Sequence, residues 1–333
     1  RKEYAALTPE QLKVIDPCSG SGHILAYMFD VLMKIYESYG YTTREAVASI
    51  VENNIYGLDI DDRAAQLAYF AVMMKARQYD RRFFSRGIQP HVYAIVESNH
   101  IDKFAVEYFC NGDAKLKEAM DTILSELHDA KEYGSILTVT QHDWSTLYDR
   151  FAEITEDIHM SRDVVLAELL PLVQVAEALA QKYDVVVTNP PYMGNNNMGA
   201  SLSNFVKANY PNSKSDMSTV FMELCQKRCS SNGMYAMINI PVWMTQSSFL
   251  ALRKILLGHS TFVNMLHLGR GVFGSDFGTT AFVIRNVLMD NYSATYRRLF
   301  DGLTQVDLVD VKERWFFEGK GIYNAKQKLF EKI

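Results

Sequence analysis

Long hydrophobic runs are missing from this chain. Although 48% of its 333 residues are hydrophobic, no segment approaches the roughly 18 uninterrupted apolar residues that span a bilayer. Residues 1–12 are too polar for the apolar heart of a secretory leader. No membrane partner is therefore expected, and the expected location is cytoplasmic. Cysteine is scarce: four in a chain of this length do not make a disulfide framework. Cys225 and Cys229 lie four apart on an expected helix, but no paired histidines stand near them. Core packing accounts for them, and no metal is expected. Excess positive charge is lacking too. With 34 basic and 39 acidic side chains the net charge is −5, which by itself does not mark a nucleic-acid protein. A cluster of paired acids with a lysine, as a nuclease centre would need, is also not found.

Set against these absences is the run Tyr183-Asp184-Val185-Val186-Val187-Thr188-Asn189-Pro190-Pro191-Tyr192. Its first six residues are rich in β-branched side chains and read as a central parallel strand. Asn189 then stands at the carboxyl end, where open α/β sheets place ligands. Two prolines fix φ at successive positions and remove two backbone donors, so the carbonyls of Asn189 and Pro190 are held in set directions. An exocyclic amine on a planar base is a poor nucleophile, because its lone pair is delocalised into the ring. Two acceptors aimed at its N–H bonds, the Asn189 side-chain oxygen and the Pro190 carbonyl, favour a more tetrahedral nitrogen that can attack an electrophilic methyl group. Tyr192 offers a flat face for a base, and such stacking contributes about 1–3 kcal/mol. An ordinary Pro-Pro turn with a core tyrosine would give the same letters, so the neighbouring segments matter.

Val14-Ile15-Asp16-Pro17-Cys18-Ser19-Gly20-Ser21-Gly22 is a strand followed by a small-residue loop, with an apolar-periodic helix opening near His23. Gly20 and Gly22 allow close approach of a ligand, and the helix start offers unpaired N–H groups. A dinucleotide fingerprint would need a third glycine where Leu25 stands, so pyrophosphate is not the ligand. The acidic Asp16 suits a cationic amino acid moiety. A second strand, residues 54–59, ends in Asp59, the position at which doubly wound folds bind ribose hydroxyls; Asp61 or Asp62 caps the helix that follows. A third strand, residues 91–96, leads to Asn99, which suits an adenine edge or a plain turn equally.

Between about residues 101 and 182 no strand–turn–helix rhythm can be placed, apart from a short strand expected over 134–140. Residues 115–131, 145–158 and 162–182 read as amphipathic helices, so the stretch is expected to be a helical insertion within the fold. After Tyr192 comes a glycine- and asparagine-rich loop, residues 194–199. Strands are expected at 234–240, 261–268 and 280–287, the last two joined by a glycine-rich reverse loop carrying Arg270, Phe273 and Phe277. Basic residues gather at Lys75, Arg77, Arg81, Arg82 and Arg86, at Lys207 and Lys214, and at Arg297 and Arg298. A solvated face explains each group better than a phosphate contact does.

In combination these segments resemble the S-adenosylmethionine-dependent amino-methyltransferases, and among them the DNA adenine-N6 class. Asp16-Pro17-Cys18-Ser19-Gly20-Ser21-Gly22 is similar to that family's cofactor loop D-P-x-x-G-S-G, and Gly57-Leu58-Asp59-Ile60-Asp61 to its ribose-binding segment G-x-[DE]-I-D. Ser98-Asn99-His100-Ile101 is similar to a third motif, with serine in place of glycine. Asn189-Pro190-Pro191-Tyr192 matches the catalytic motif outright. With Met193-Gly194 after it and a long helical insert before it, the pattern most resembles the methyltransferases of BREX phage-defence systems.

The resemblance implies a doubly wound, mostly parallel seven-stranded sheet of Rossmann-like type, with a terminal antiparallel hairpin. It implies S-adenosylmethionine as cofactor, bound by Asp16, Pro17, Ser19, Gly20 and Gly22, with Asp59 on the ribose hydroxyls, Ile60 on a face of the cofactor adenine and Asn99 on its edge. Asn189, Pro190, Pro191 and Tyr192 would carry catalysis, and Tyr192 with Phe277 (or Phe273) would stack on the target base. Double-stranded DNA and other phage-defence proteins are the implied partners. Residues 1–300 would form the catalytic domain and 301–333 a connector toward a target-recognition domain. One departure concerns the methionine pocket, which the family completes with an upstream F-T-P element. Here Leu7-Thr8-Pro9 lies too close to Val14 to be all of it, and the chain opens on Arg1, as an excised piece would. Methylation of protein glutamine or of RNA, or a scaffold active only within a defence complex, are the alternatives.

Overall fold

A computed structural model describes residues 6–274, 278–302 and 304–332. Among them are nine strands: β1 (Val14–Asp16), β2 (Ile55–Asp59), β3 (His91–Ala94), β4 (Tyr183–Thr188), β5 (Cys229–Asn239), β6 (Thr261–Gly269), β7 (Thr279–Arg285), β8 (Ser293–Arg298) and β9 (Ile322–Lys326). The chain forms two compact units, Arg1–Gln11 with Asp16–Gln181, and Leu12–Ile15 with Lys182–Ile333.

In the first unit β2 pairs parallel with β3, setting Tyr56 beside His91 and Asp59 beside Ala94. β2 is buried at every position, so its sequence is continuously apolar up to Asp59 rather than alternating. The helix His23–Ser38 buries Leu25, Met28, Phe29, Leu32, Met33 and Tyr36, the spacing of one apolar helical stripe. The Tyr36 hydroxyl stays satisfied in this core by donating to Asn54 Oδ1 at 2.8 Å. A capping box between Thr42 and Glu45 starts the helix Thr43–Ser49. Asp61 starts the helix Asp62–Tyr79, its carboxylate accepting from the amides of Arg63 and Ala64.

The stretch expected to be helical is so. It carries Lys103–Cys110, Ala114–Glu126, Ala130–Tyr133 and Trp144–Thr155. Arg162–Val164 then runs through a π-turn, Val165–Leu169, into Leu170–Ala180. Asp102, Asp113 and Asp143 cap three of these helices. The strand expected over 134–140 is instead a 3-10 turn, Gly134–Ile136, followed by extended chain. Gly134 enters it at φ 64°, a left-handed value that breaks the extended run.

In the second unit the strand order is β1-β4-β5-β7-β6-β8-β9. β1, β4 and β5 run parallel, while β7 is antiparallel to both β5 and β6. The expected terminal hairpin is thus β6–β7. β8 lies parallel to β6 and β9 antiparallel to β8, so the described residues hold two strands more than the seven expected. β8 alternates exposed and buried at Ser293, Ala294, Thr295 and Tyr296, whereas β9 is an edge with four of five positions exposed. An exposed edge has no buried face to print a period on the sequence. The helix Met217–Arg228 is buried almost all round and correspondingly lacks a polar face. Among the described residues no helix is long and apolar enough to cross a membrane. Nor does any group of three or more His, Cys, Asp or Glu among them have metal-holding geometry.

Candidate active site

The first unit gathers the residues of the small loop. Asp16 is almost fully buried and accepts from the amide of Cys18 at 3.0 Å through Oδ1. The Ser19 amide donates to the Leu58 carbonyl at 2.9 Å, which ties the loop to β2. The Gly20 amide donates to Asp59 Oδ2 at 2.8 Å, and Asp59 Oδ1 accepts from the Asp61 amide at 3.0 Å. Both oxygens of a 7% exposed carboxylate are therefore fixed by backbone donors, each with a lone pair left for a ligand. Gly20 sits at φ 52° with open space where a Cβ would be. Gly22, at φ 84°, lies against the helix Asp62–Tyr79, and a Cβ there would come 2.7 Å from Ala68 Cα. Ser19 is buried, yet its Oγ has no hydrogen-bond partner in the structure.

Two further features of this unit bear on the loop. Ile60, 45% exposed, presents an apolar face next to the acidic strand end. The turn at Gly134–Ile136 packs on it, since a Cβ at Gly134 would come 3.2 Å from Ile60 Cδ1, and the Ser135 hydroxyl donates to the Pro17 carbonyl. Gly134 and Ser135 were not among the sequence candidates. A Gly-Ser pair between a helix end and an apolar run is the signal that marks them. Asn99, by contrast, has its amide engaged by Asp129: Nδ2 donates to Oδ1 at 2.6 Å and Oδ1 accepts from the Asp129 amide at 2.8 Å. One N–H of Asn99 remains for a ligand. Burial, then the charges of Asp16 and Asp59, push the Cys18 thiol up to about 12.

In the second unit β4 delivers the proline-rich motif. Asn189 and Pro191 are exposed, Pro190 is buried and Tyr192 is 42% exposed. The Tyr192 hydroxyl donates to Asn189 Oδ1 at 2.8 Å and lies 3.4 Å from the Ile238 carbonyl at the end of β5. One of the two expected acceptors is thus capped by the motif's own phenol. Burial pushes that phenol up to about 12, so it is a neutral donor at physiological pH. Beyond the motif, the Met193 carbonyl accepts from the Met217 amide at 2.8 Å, anchoring the chain to the start of a buried helix.

The remaining sequence candidates divide. Phe273 is 61% exposed at φ 64°, in the turn Val272–Gly274, and is not a core aromatic. Phe277 lies outside the described residues. Lys75 pairs with Asp30 at 2.6 Å and Arg86 with Asp80, so both are held within the unit. Arg297 donates to the Lys320 and Trp315 carbonyls and lies 4.2 Å over the Phe316 ring, a structural role. Lys207 and Lys214 are exposed.

Three comparisons bear on this arrangement. The Eco57I restriction-modification methylase family matches residues 53–273. The chain is 38% identical to the adenine-specific methyltransferase BrxX of Escherichia coli O9:H4 (strain HS), over 99% of this chain and 29% of that protein. It is also 38% identical to the adenine-specific methyltransferase PglX of Lacticaseibacillus casei (strain Zhang), over 100% of this chain and 28% of that one. The chain therefore spans less than a third of the length of these relatives. In three dimensions it resembles the ATP-dependent Type ISP restriction-modification enzyme LlaBIII bound to DNA, with a TM-score of 0.57 at 12% identity, over 97% of this chain and 20% of that one. That likeness is one of fold.

Proposed function

This chain belongs to the Eco57I restriction-modification methylase family, and from that premise we propose that it transfers a methyl group from S-adenosylmethionine to the N6 amine of an adenine in double-stranded DNA. The observation that carries the proposal is the Asn189-Pro190-Pro191-Tyr192 turn at the carboxyl end of β4, with an amide oxygen and a proline carbonyl held beside an exposed aromatic. The relatives named for adenine-specific methylation support the same reading.

The small loop fits the cofactor by its own chemistry. Asp16 is a buried carboxylate suited to a cationic amino group, and Asp59 is held rigidly enough to accept from vicinal hydroxyls. Pro17 positions the turn, Gly20 and Gly22 keep the backbone bare, and the Ser19 hydroxyl, buried without a partner, is one group a ligand would satisfy. Ile60 offers a face to the cofactor's adenine, and Asn99 retains one N–H for its edge. Bound there, S-adenosylmethionine would supply an electrophilic methyl group on sulfur.

The rest falls to the chain's own residues. A target adenine must leave the duplex to reach any protein pocket. Tyr192 stacks on it, with Phe277 a second candidate. Asn189 Oδ1 and the Pro190 carbonyl accept its two N–H bonds and localise the nitrogen lone pair. The Tyr192 phenol occupies one lone pair of Asn189 Oδ1 and leaves the other for the amine. The alkylated nitrogen is strongly acidic and releases a proton to the motif or to water, so no separate general base is needed. Cys18, kept as a thiol, does not compete for the methyl group. By resemblance the reaction belongs to phage defence, in company with other proteins of such a system.

Adenine-N6 methylation in DNA from cells expressing the gene, compared with an Asn189→Ala form, tests the proposal. Modified adenine at a repeated sequence, reduced by about 100-fold or more in the variant, is expected, the usual scale for losing one well-placed hydrogen-bonding group at a reacting centre. Equal modification in both would overturn the mechanism, and modification of RNA or protein in place of DNA would overturn the substrate.

A further inference from the structure

A polar cleft of about 430 Å³ opens directly downstream of the motif, lined by Asn195, Asn196, Asn197, Lys207, Lys214 and Ser215. Neither a carboxylate nor an apolar side chain contributes to that lining. Several lysines are neutralised locally, as in Lys75–Asp30, Lys131–Asp62 and Lys320–Asp301, whereas the two that line this cleft are not. Among the described residues Lys207 and Lys214 have neither an ion pair nor a hydrogen bond, and both are exposed. Lys207 lies in the last turn of the helix Ala200–Asn209, where the helix dipole favours a cation. That explains Lys207 alone; Lys214 belongs to no helix.

The asparagine on this wall is oriented as well. Ser203 Oγ donates to Asn195 Oδ1 at 3.0 Å, which leaves the Nδ2 hydrogens as the unused end of the amide. The cleft is also mechanically joined to the motif. The Asn195 amide donates to the Ser215 carbonyl at 3.0 Å, and the Met217 amide to the Met193 carbonyl at 2.8 Å. A donor-rich, carboxylate-free concavity with two unneutralised ammonium groups fits a singly charged phosphodiester.

We propose that this cleft holds a backbone phosphate of the DNA strand that carries the target adenine, with Lys207 and Lys214 as its cationic contacts and Asn195 as a neutral donor. The proposal rests on the DNA-methylating reading above and adds residues to it. They are positioning residues: extruding a base rotates the backbone, and a phosphate clamped beside the segment that follows Tyr192 fixes where that rotation ends.

The test compares the protein with its K207Q/K214Q and K207R/K214R forms. Binding of a fluorescent mixed-sequence DNA duplex is followed over a NaCl series, alongside methylation kinetics and S-adenosylmethionine affinity. The glutamine pair is expected to flatten the plot of log affinity against log salt by about 0.9 for each ion pair lost. It should raise KM for DNA and leave cofactor affinity unchanged, and the arginine pair should restore the slope. An unchanged slope and KM in a glutamine form that methylates normally would overturn the cleft assignment while leaving the methylation reading intact. Wild-type protein that neither binds the duplex nor methylates it would overturn both.

Discussion

Tyr192 has two separable duties, because its ring and its hydroxyl do different things. The ring is exposed enough to stack, while the hydroxyl occupies Asn189 Oδ1. Tyr192→Phe keeps the ring and removes a neutral hydrogen bond of about 0.5–1.5 kcal/mol. Its KM for DNA is expected to be equal to or below that of the wild type, with kcat retained. Tyr192→Ala loses stacking of about 1–3 kcal/mol and should raise that KM by roughly ten- to a hundredfold. Steady-state kinetics on both forms decides the matter: equal damage in the two would assign a chemical role to the phenol. At this scale the candidate motif was plain in the sequence, because prolines, an amide and an aromatic at fixed offsets are written in adjacent letters. The bond between Tyr192 and Asn189 was not, because a hydroxyl's partner is chosen by rotamers that the letters do not encode.

Among the elements, the loop between β1 and the helix His23–Ser38 depends on two glycines for different reasons. Gly22 combines φ 84° with Ala68 Cα at 2.7 Å from any added Cβ, whereas Gly20 has φ 52° and open space. Gly22→Ala is expected to push the two helices apart at a cost of about 1–3 kcal/mol, lowering the denaturation midpoint together with cofactor affinity. Gly20→Ala should carry only the left-handed strain of about 1–2 kcal/mol and show its main loss in cofactor affinity. Chemical denaturation and calorimetric titration of both forms test this; equal stability losses would contradict the assignment of Gly22 to helix packing. The strands and helices that surround this loop were readable from period and capping, as at Asp61. The turn at Gly134–Ile136 was misread as a strand, because Ile136, Leu137 and Val139 are apolar for a packing reason rather than for a ladder. β9 escaped notice because its exposed edge leaves no pattern.

For the molecule as a whole, acid is the condition to watch. Burial, helped by Arg298 and Lys312, pulls the His267 imidazole down to about 4. In the unfolded chain a histidine titrates near about 6.5, so between those values the unfolded state binds the extra proton. Stability should therefore be fully present above pH 6.5 and decline as pH falls toward 4. Melting temperatures across that window should drop less steeply for His267→Gln, and an unchanged pH profile would remove His267 as the cause. The net charge of −5 concealed the cleft at Lys207 and Lys214, since a bulk sum cannot report where cations lack partners.

The four cysteines carry a practical consequence at this same scale. Cys110, Cys225 and Cys229 are buried and burial with the charges of Asp16 and Asp59 pushes the Cys18 thiol up to about 12, so these 333 residues are expected to react little with maleimide dyes. Asn196→Cys, at an exposed site in the asparagine loop, would accept a single fluorophore against a silent background. The loop's response to a duplex could then be watched in real time, one molecule at a time, with no natural cysteine removed.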